Sequence, residues 1–350
     1  MSNPRLFKLS NTYCPRADNL GMATHAQHKA SPDLRASNRR HGLDRGYDRV
    51  RARPIYAGRS YKVTKRCEER RFHLAPGEHP DDLIGLVGYC LAYCAQRFEI
   101  EIHAAVFMSN HFHVDLTDPH ANLVDFKRTF NSFLARALNA LHGRFGSVWD
   151  REAACDTQRP TDDESFMDLV YTLTNPVTAG LVRHARLWPG FTTAGWRFGE
   201  TRSFRRQRWF FDAEEMPAAV ELTLVRPHVF EELSDDELFS RVEAEVRRRE
   251  REVQVEFRRT NRRFVGLEKL RSVRHDRTPR SSEPRFGVTP RVAASCRWKR
   301  LAQLQRDREW ERQYALARAD LLAGIDAVFP AGTFMLRRLA RVAVAELPLA

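Results

Sequence analysis

The chain has 350 residues, with 58 lysines and arginines against 45 acids, a formal net charge of +13. That length allows one sizeable core plus appended material, and the arginine-led positive charge suits either a phosphate-bearing partner or a solvated basic surface. Six scattered cysteines (14, 67, 90, 94, 155 and 296) exclude a dense disulfide scaffold, and no run reaches the roughly 18 apolar residues needed to span a bilayer. The expectation is a soluble, cytoplasmic, nucleoid-associated protein with reduced thiols, no secretory leader and no membrane partner.

Residues 1–55 are rich in Asn, Arg, His, Ser and Asp and predict a basic, poorly ordered arm. RSYKVTKR (59–66) alternates like a strand. The turn signals of APGEHP precede a helix over 81–98, whose stripe of Leu83, Leu86, Val87, Cys90, Leu91 and Cys94 makes the two cysteines core residues rather than half a metal site. IEIHAAVFM (100–108) and HFHVDL (111–116) predict two strands joined by a tight turn at Ser109-Asn110. In an extended strand alternate side chains share a face, so His111, His113 and Asp115 point one way while Phe112, Val114 and Leu116 point the other.

Residues 123–141 carry Phe126, Phe130, Phe133, Leu134, Ala137, Leu138 and Leu141 at helical spacing, with Lys127, Arg128 and Arg136 on other faces. VWDREAACD predicts a further short strand, and Thr161 with Glu164 forms a capping-box signature for a last helix. Strand, helix, strand, strand, helix, strand, helix around one sheet describes an α+β fold, most economically a ferredoxin-like antiparallel sheet with helices packed on it. The domain division expected is 56–190 for this unit, 191–271 for a charged helical extension, 272–292 for an arginine- and proline-rich linker and 293–350 for a helical C-terminal region. Within the extension a long helix is predicted over 234–264, and further helices over 296–327 and 331–346.

On the helix after Thr161, Phe166, Leu169, Val170 and Leu173 cluster within roughly 100° and face the core, taking about 100° per residue. Tyr171 and Asn175 fall one turn apart on the side away from that stripe, and Pro176 places Asn175 near the helix end. Each of these residues alone reads as ordinary surface. Together they offer two imidazoles, a carboxamide oxygen and a phenol, a set suited to phosphodiester cleavage: a divalent metal on His111, His113 and Asn175 would polarise the phosphate and Tyr171 would attack it. With an amide oxygen as third ligand and no thiolate nearby in sequence, Mg²⁺ or Mn²⁺ is favoured over zinc.

These residues resemble the single-tyrosine transposases of the HUH endonuclease superfamily, most closely the REP-associated branch. The resemblance rests on MSNHFH (108–113), FKRTFNSFLARALN, Gly146 and Trp149 of GSVW, and YTLTNPVTAGLV (171–182), with YKVTKR near residue 61 as a first strand; it covers roughly 59–190. It implies a ferredoxin-like catalytic domain working as a homodimer with Mg²⁺ or Mn²⁺ and no small-molecule cofactor. The implied reaction is cleavage of single-stranded DNA beside a hairpin through a 5′-phosphotyrosine at Tyr171, with His111, His113 and Asn175 as metal ligands. Three departures stand out: Ser109 where a proline is usual, DREAACD where a basic aromatic run is expected, and Asp115 on the histidine face. Candidate DNA contacts are Lys62, Lys65, Arg66, Lys127 and Arg128, with Arg247, Arg248, Arg258 and Arg259 among arginine clusters (247–249, 258–259 and 262–263) on a second surface.

Competing readings are two plain surface histidines, a histidine-triad nucleotide hydrolase (disfavoured by Asp115 at the third position), and a domesticated, non-catalytic hairpin-binding protein on the same scaffold.

Overall fold

Strand β1 (Arg59–Arg66) lies in the middle of a four-stranded antiparallel sheet. The computed structural model describes residues 52–346, apart from 152–154, 159–161, 213, 281–291 and 293–296; most of the expected N-terminal arm, Thr161 of the capping box and much of the linker thus lie outside the described residues. Helix α1 (Pro80–Phe98) leads into β2 (Glu101–Met108) and β3 (His111–Asp118), which are joined at Ser109-Asn110. That turn is held from outside: Leu74 N donates to Ser109 O and Cys67 N to Asn110 O. Helix α2 (Leu123–Leu141), strand β4 (Cys155–Gln158) and helix α3 (Asp162–Thr178) complete the unit. The strand order β2-β3-β1-β4, antiparallel throughout, is the ferredoxin-like arrangement, so the chain is α+β.

Register sorts the side chains between the two faces. Lys62 lies opposite Asp115, Thr64 opposite His113 and Arg66 opposite His111, and all six share the polar face. On the other face Phe112 packs on Phe107 at 5.0 Å, and both meet Phe130 of α2 edge-on. Trp149 closes this layer edge-on to Phe112 and donates from Nε1 to Asn131 O at 2.7 Å. Cys90 and Cys94 lie in the same core, where burial pushes the Cys90 thiol well up and the Cys94 thiol to about 12.

Beyond residue 190 the core continues. Residues 191–193 run along β2, with Phe107 N donating to Phe191 O and Thr193 N to Ala105 O. Strands β5 (Thr201–Arg205) and β6 (Ala219–Thr223) form a hairpin on the outer side of α1, with Phe204 against Gly88 and the Tyr89 hydroxyl donating to Pro217 O. Helix α4 (Asp235–Arg259) starts from a complete capping box between Ser234 and Glu237. It packs along α3 and is tied to the segment after it by Glu250, which accepts from Ala185 N, and by the Glu243–Arg186 pair.

A short helix α5 (Leu267–Arg271) and a long charged helix α6 (Arg297–Leu322) follow. The helix expected over 331–346 is cut to α7 (Met335–Leu339), flanked by two-residue strands β7 (Val328–Phe329) and β8 (Ala343–Val344). Arg341, at φ 51°, leaves the helical region, and Ala345 N then donates to Phe329 O. Among the described residues no helix is long and apolar enough to cross a membrane.

Candidate active site

The polar face of the sheet is roofed by α3, and the site lies in the seam between them. Lys62 carries the junction. It is only 6% exposed, and its Nζ donates to Thr172 Oγ1 at 2.7 Å and to Asp168 O at 3.3 Å while lying 3.6 Å from Asp115 Oδ1 and 3.5 Å from Asp168 Oδ1. Residues 168, 171, 172 and 175 occupy one side of the helix by their spacing, so one lysine fixes the rotation at which Tyr171 and Asn175 meet the strands.

Tyr171 stands 46% exposed at the rim, open to a large substrate. Its ring meets the His113 imidazole edge-on at 5.5 Å between centroids, and Lys62 Nζ sits 4.4 Å from its centroid. The His111 and His113 rings are 5.0 Å apart and nearly perpendicular. Each imidazole is oriented by a neighbour. His111 Nδ1 lies 2.8 Å from Asn110 Oδ1, a carbonyl positioned to accept from the Nδ1–H tautomer. His113 Nδ1 lies 2.9 Å from Thr64 Oγ1, which can accept in the same way. Burial, helped by the nearby Arg66 charge, pulls His111 down to about 4 and so holds it neutral near pH 7. The Asn175 side chain hydrogen-bonds that same imidazole.

The structure places His111, His113, Tyr171 and Asn175 side by side, with one difference from the sequence reading. Asn175 was expected on an open helix face; it is buried, because α3 is covered by the sheet on one side and by α4 on another. Among the described residues no group of three or more His, Cys, Asp or Glu side chains is placed to hold a metal ion. The donors that do converge are two imidazoles and a carboxamide, a nitrogen and oxygen set able to ligate a divalent ion.

The basic residues proposed from sequence scatter. Lys62 and Lys65 are buried, Lys65 donating to Asp150 O at 2.6 Å, so neither presents its ammonium on the surface. Arg66 is exposed and stands beside His111. Lys127 and Arg128 ride on α2, which packs on the opposite face of the sheet, and Arg128 pairs with Asp125. On α4, Arg247 pairs with Glu243, Arg248 with Glu245 and Glu252, and Arg259 with Glu256, whereas Arg258 has no such pair among the described residues. Asp168, Thr172 and Thr64 were missed in the sequence. The available signal was the one-turn spacing of 168 and 172 from the tyrosine side of the helix.

The fold and site thus define a ferredoxin-like domain with a histidine pair on its polar face and a tyrosine-bearing helix laid across it. No family profile matches the chain, and no curated protein does. Two solved structures are similar in part. One is a REP-associated tyrosine transposase bound to a REP hairpin, 17% identical, covering 41% of this chain and 80% of that one with a TM-score of 0.34. The other is a protein assigned as a transposase from Deinococcus radiodurans R1, 17% identical, covering 36% of this chain and 96% of that one with a TM-score of 0.25.

Proposed function

We propose that the protein is a metal-dependent single-stranded DNA endonuclease and strand transferase, a transposase-like enzyme acting beside DNA hairpins. The observation that carries this reading is the convergence, across strands and helix, of an accessible phenol with two imidazoles and a carboxamide. His111, His113 and Asn175 would hold Mg²⁺ or Mn²⁺, which supplies positive charge to polarise the scissile phosphate.

Tyr171 Oη forms its bond to phosphorus as the bond from phosphorus to the 3′-oxygen breaks. The product is a 5′-phosphotyrosine and a free 3′-hydroxyl; the phenolic proton is released and the departing oxygen takes one up. Attack by a 3′-hydroxyl on the same phosphorus reverses these changes and rejoins a strand without an external energy source. Lys62 holds the helix in place and puts a fixed positive charge beside the ring on which negative charge develops. Arg66, exposed beside His111, is placed to meet a neighbouring phosphate.

The test incubates the full chain with labelled hairpin oligonucleotides from the DNA flanking its gene, with Mg²⁺ or Mn²⁺ and with EDTA. A metal-dependent adduct that survives denaturation in the wild type and is absent in Tyr171→Phe is the expected result. Hairpin binding without any adduct would instead identify a non-catalytic DNA-binding protein on this scaffold.

A further inference from the structure

A second site lies at the far end of the tyrosine helix. There the turn after α3 and the C-terminal end of α4 enclose a cavity of about 450 Å³. Its lining contains four arginines, Arg183, Arg258, Arg262 and Arg263, and no acid. The charge pattern separates this end of α4 from the rest of the helix. Arg247, Arg248, Arg249 and Arg259 all pair with glutamates, whereas none of the four cavity arginines has an acidic partner among the described residues. Only Arg258 lies within α4, so complementing the helix dipole does not explain the other three.

The remaining wall is planar and apolar. Phe257 and Phe264 stack at 4.6 Å with 21° between their planes, the Arg262 guanidinium lies 4.3 Å from the Phe257 centroid, and that of Arg183 lies 5.8 Å from the Phe264 centroid. Leu187 and Leu267 add exposed apolar surface. Two main-chain bonds, Val265 N to Gly180 O and Gly266 N to Leu181 O, fasten this wall to the residues that follow α3. Gly180 is at φ +74°, and a Cβ there would meet Phe257 at 2.8 Å, so the join is close-fitting. By helical rise α3 ends at Thr178 about 10 Å from Tyr171, and the cavity lining begins just after it at Val182.

We propose that this cavity binds an unpaired nucleotide of single-stranded DNA, the guanidinium groups taking its phosphates and the aromatic and guanidinium planes stacking on its base. This inference rests on the DNA-processing reading and adds a second grip on the same strand. Unpaired guanidinium forks match phosphate oxygens, and stacked planes match bases without regard to sequence. An acidic peptide would engage the arginines but leave the planar wall without a planar partner.

Binding of a fluorescein-labelled oligothymidylate to the full chain, followed by anisotropy over a range of salt, tests it. Arg258→Gln/Arg262→Gln should weaken binding about tenfold or more and reduce the slope of log affinity against log salt by about 1 to 2. Arg183→Gln, on the turn after α3, gives an independent reading if the double variant folds poorly. An abasic strand of equal length should bind more weakly than oligothymidylate. Unchanged affinity and slope in both variants overturn the proposal, as does equal binding of the abasic strand or stronger competition by polyglutamate than by oligothymidylate. Covalent adduct formation, scored in parallel, separates the two readings: an adduct with no effect of the arginine variants sinks the cavity alone, and weakened binding without an adduct sinks the cleavage reading alone.

Discussion

Lys62 shows how one residue's role can be hidden in a strand pattern. In YKVTKR its alternation with Tyr61 and Val63 marks it as outward-facing, which it is, yet outward here means under a helix. Its partners Asp168 and Thr172 come from α3, more than 100 residues on, and a local pattern carries no sign of them. His111 and His113 were legible because a period of two needs only one strand, and Tyr171 with Asn175 because they sit one turn apart on one helix. Lys62→Met should lower stability by about 3 kcal/mol, since it removes the buried cation that lies beside Asp115 and Asp168. Urea denaturation reads this directly, with partial recovery when Asp115→Asn accompanies the change. An unaltered midpoint would show that the lysine is not holding the helix down.

At the scale of elements, the seven of the ferredoxin-like unit were readable because all but the four-residue β4 keep their period for eight residues or more. The β5–β6 hairpin was not, because SFRRQRWFF reads as a basic aromatic run until α1 is there to receive Phe204. Gly88 makes that reception possible: a Cβ there would come within 2.2 Å of the Phe204 ring. Alanine in the middle of an isolated helix is favoured over glycine by about 1 kcal/mol. Here the steric cost wins, and Gly88→Ala is expected to destabilise by about 1–3 kcal/mol. Thermal unfolding of Gly88→Ala beside Gly88→Ala/Phe204→Leu checks the sign and the cause. Stabilisation by the single change would mean that the hairpin does not seat on α1.

At the scale of the molecule, buried imidazoles set the response to acid. His103 is enclosed between Val225 O and Thr117 Oγ1, and His73 is equally buried; burial pulls both down to about 4 from an ordinary 6.5. Because the folded pKa is the lower one, the unfolded chain takes up the proton first. The stability these groups contribute is complete above pH 6.5 and is lost as pH falls towards 4, at about 1.4 kcal/mol per pH unit for each imidazole. Urea midpoints taken at pH 7, 5.5 and 4.5 should descend steadily, and a flat series would contradict the burial of these rings.

The segment 191–193 gives β2 a neighbour along its outer edge, hydrogen-bonded at Phe107 and Ala105. A strand so occupied offers no open row of amides and carbonyls for another chain to join. Two copies of this protein therefore cannot merge their sheets into one continuous ribbon through β2. Any pairing on that side has to be made by side chains, and growth of the sheet by addition of a foreign strand is blocked there from the outset.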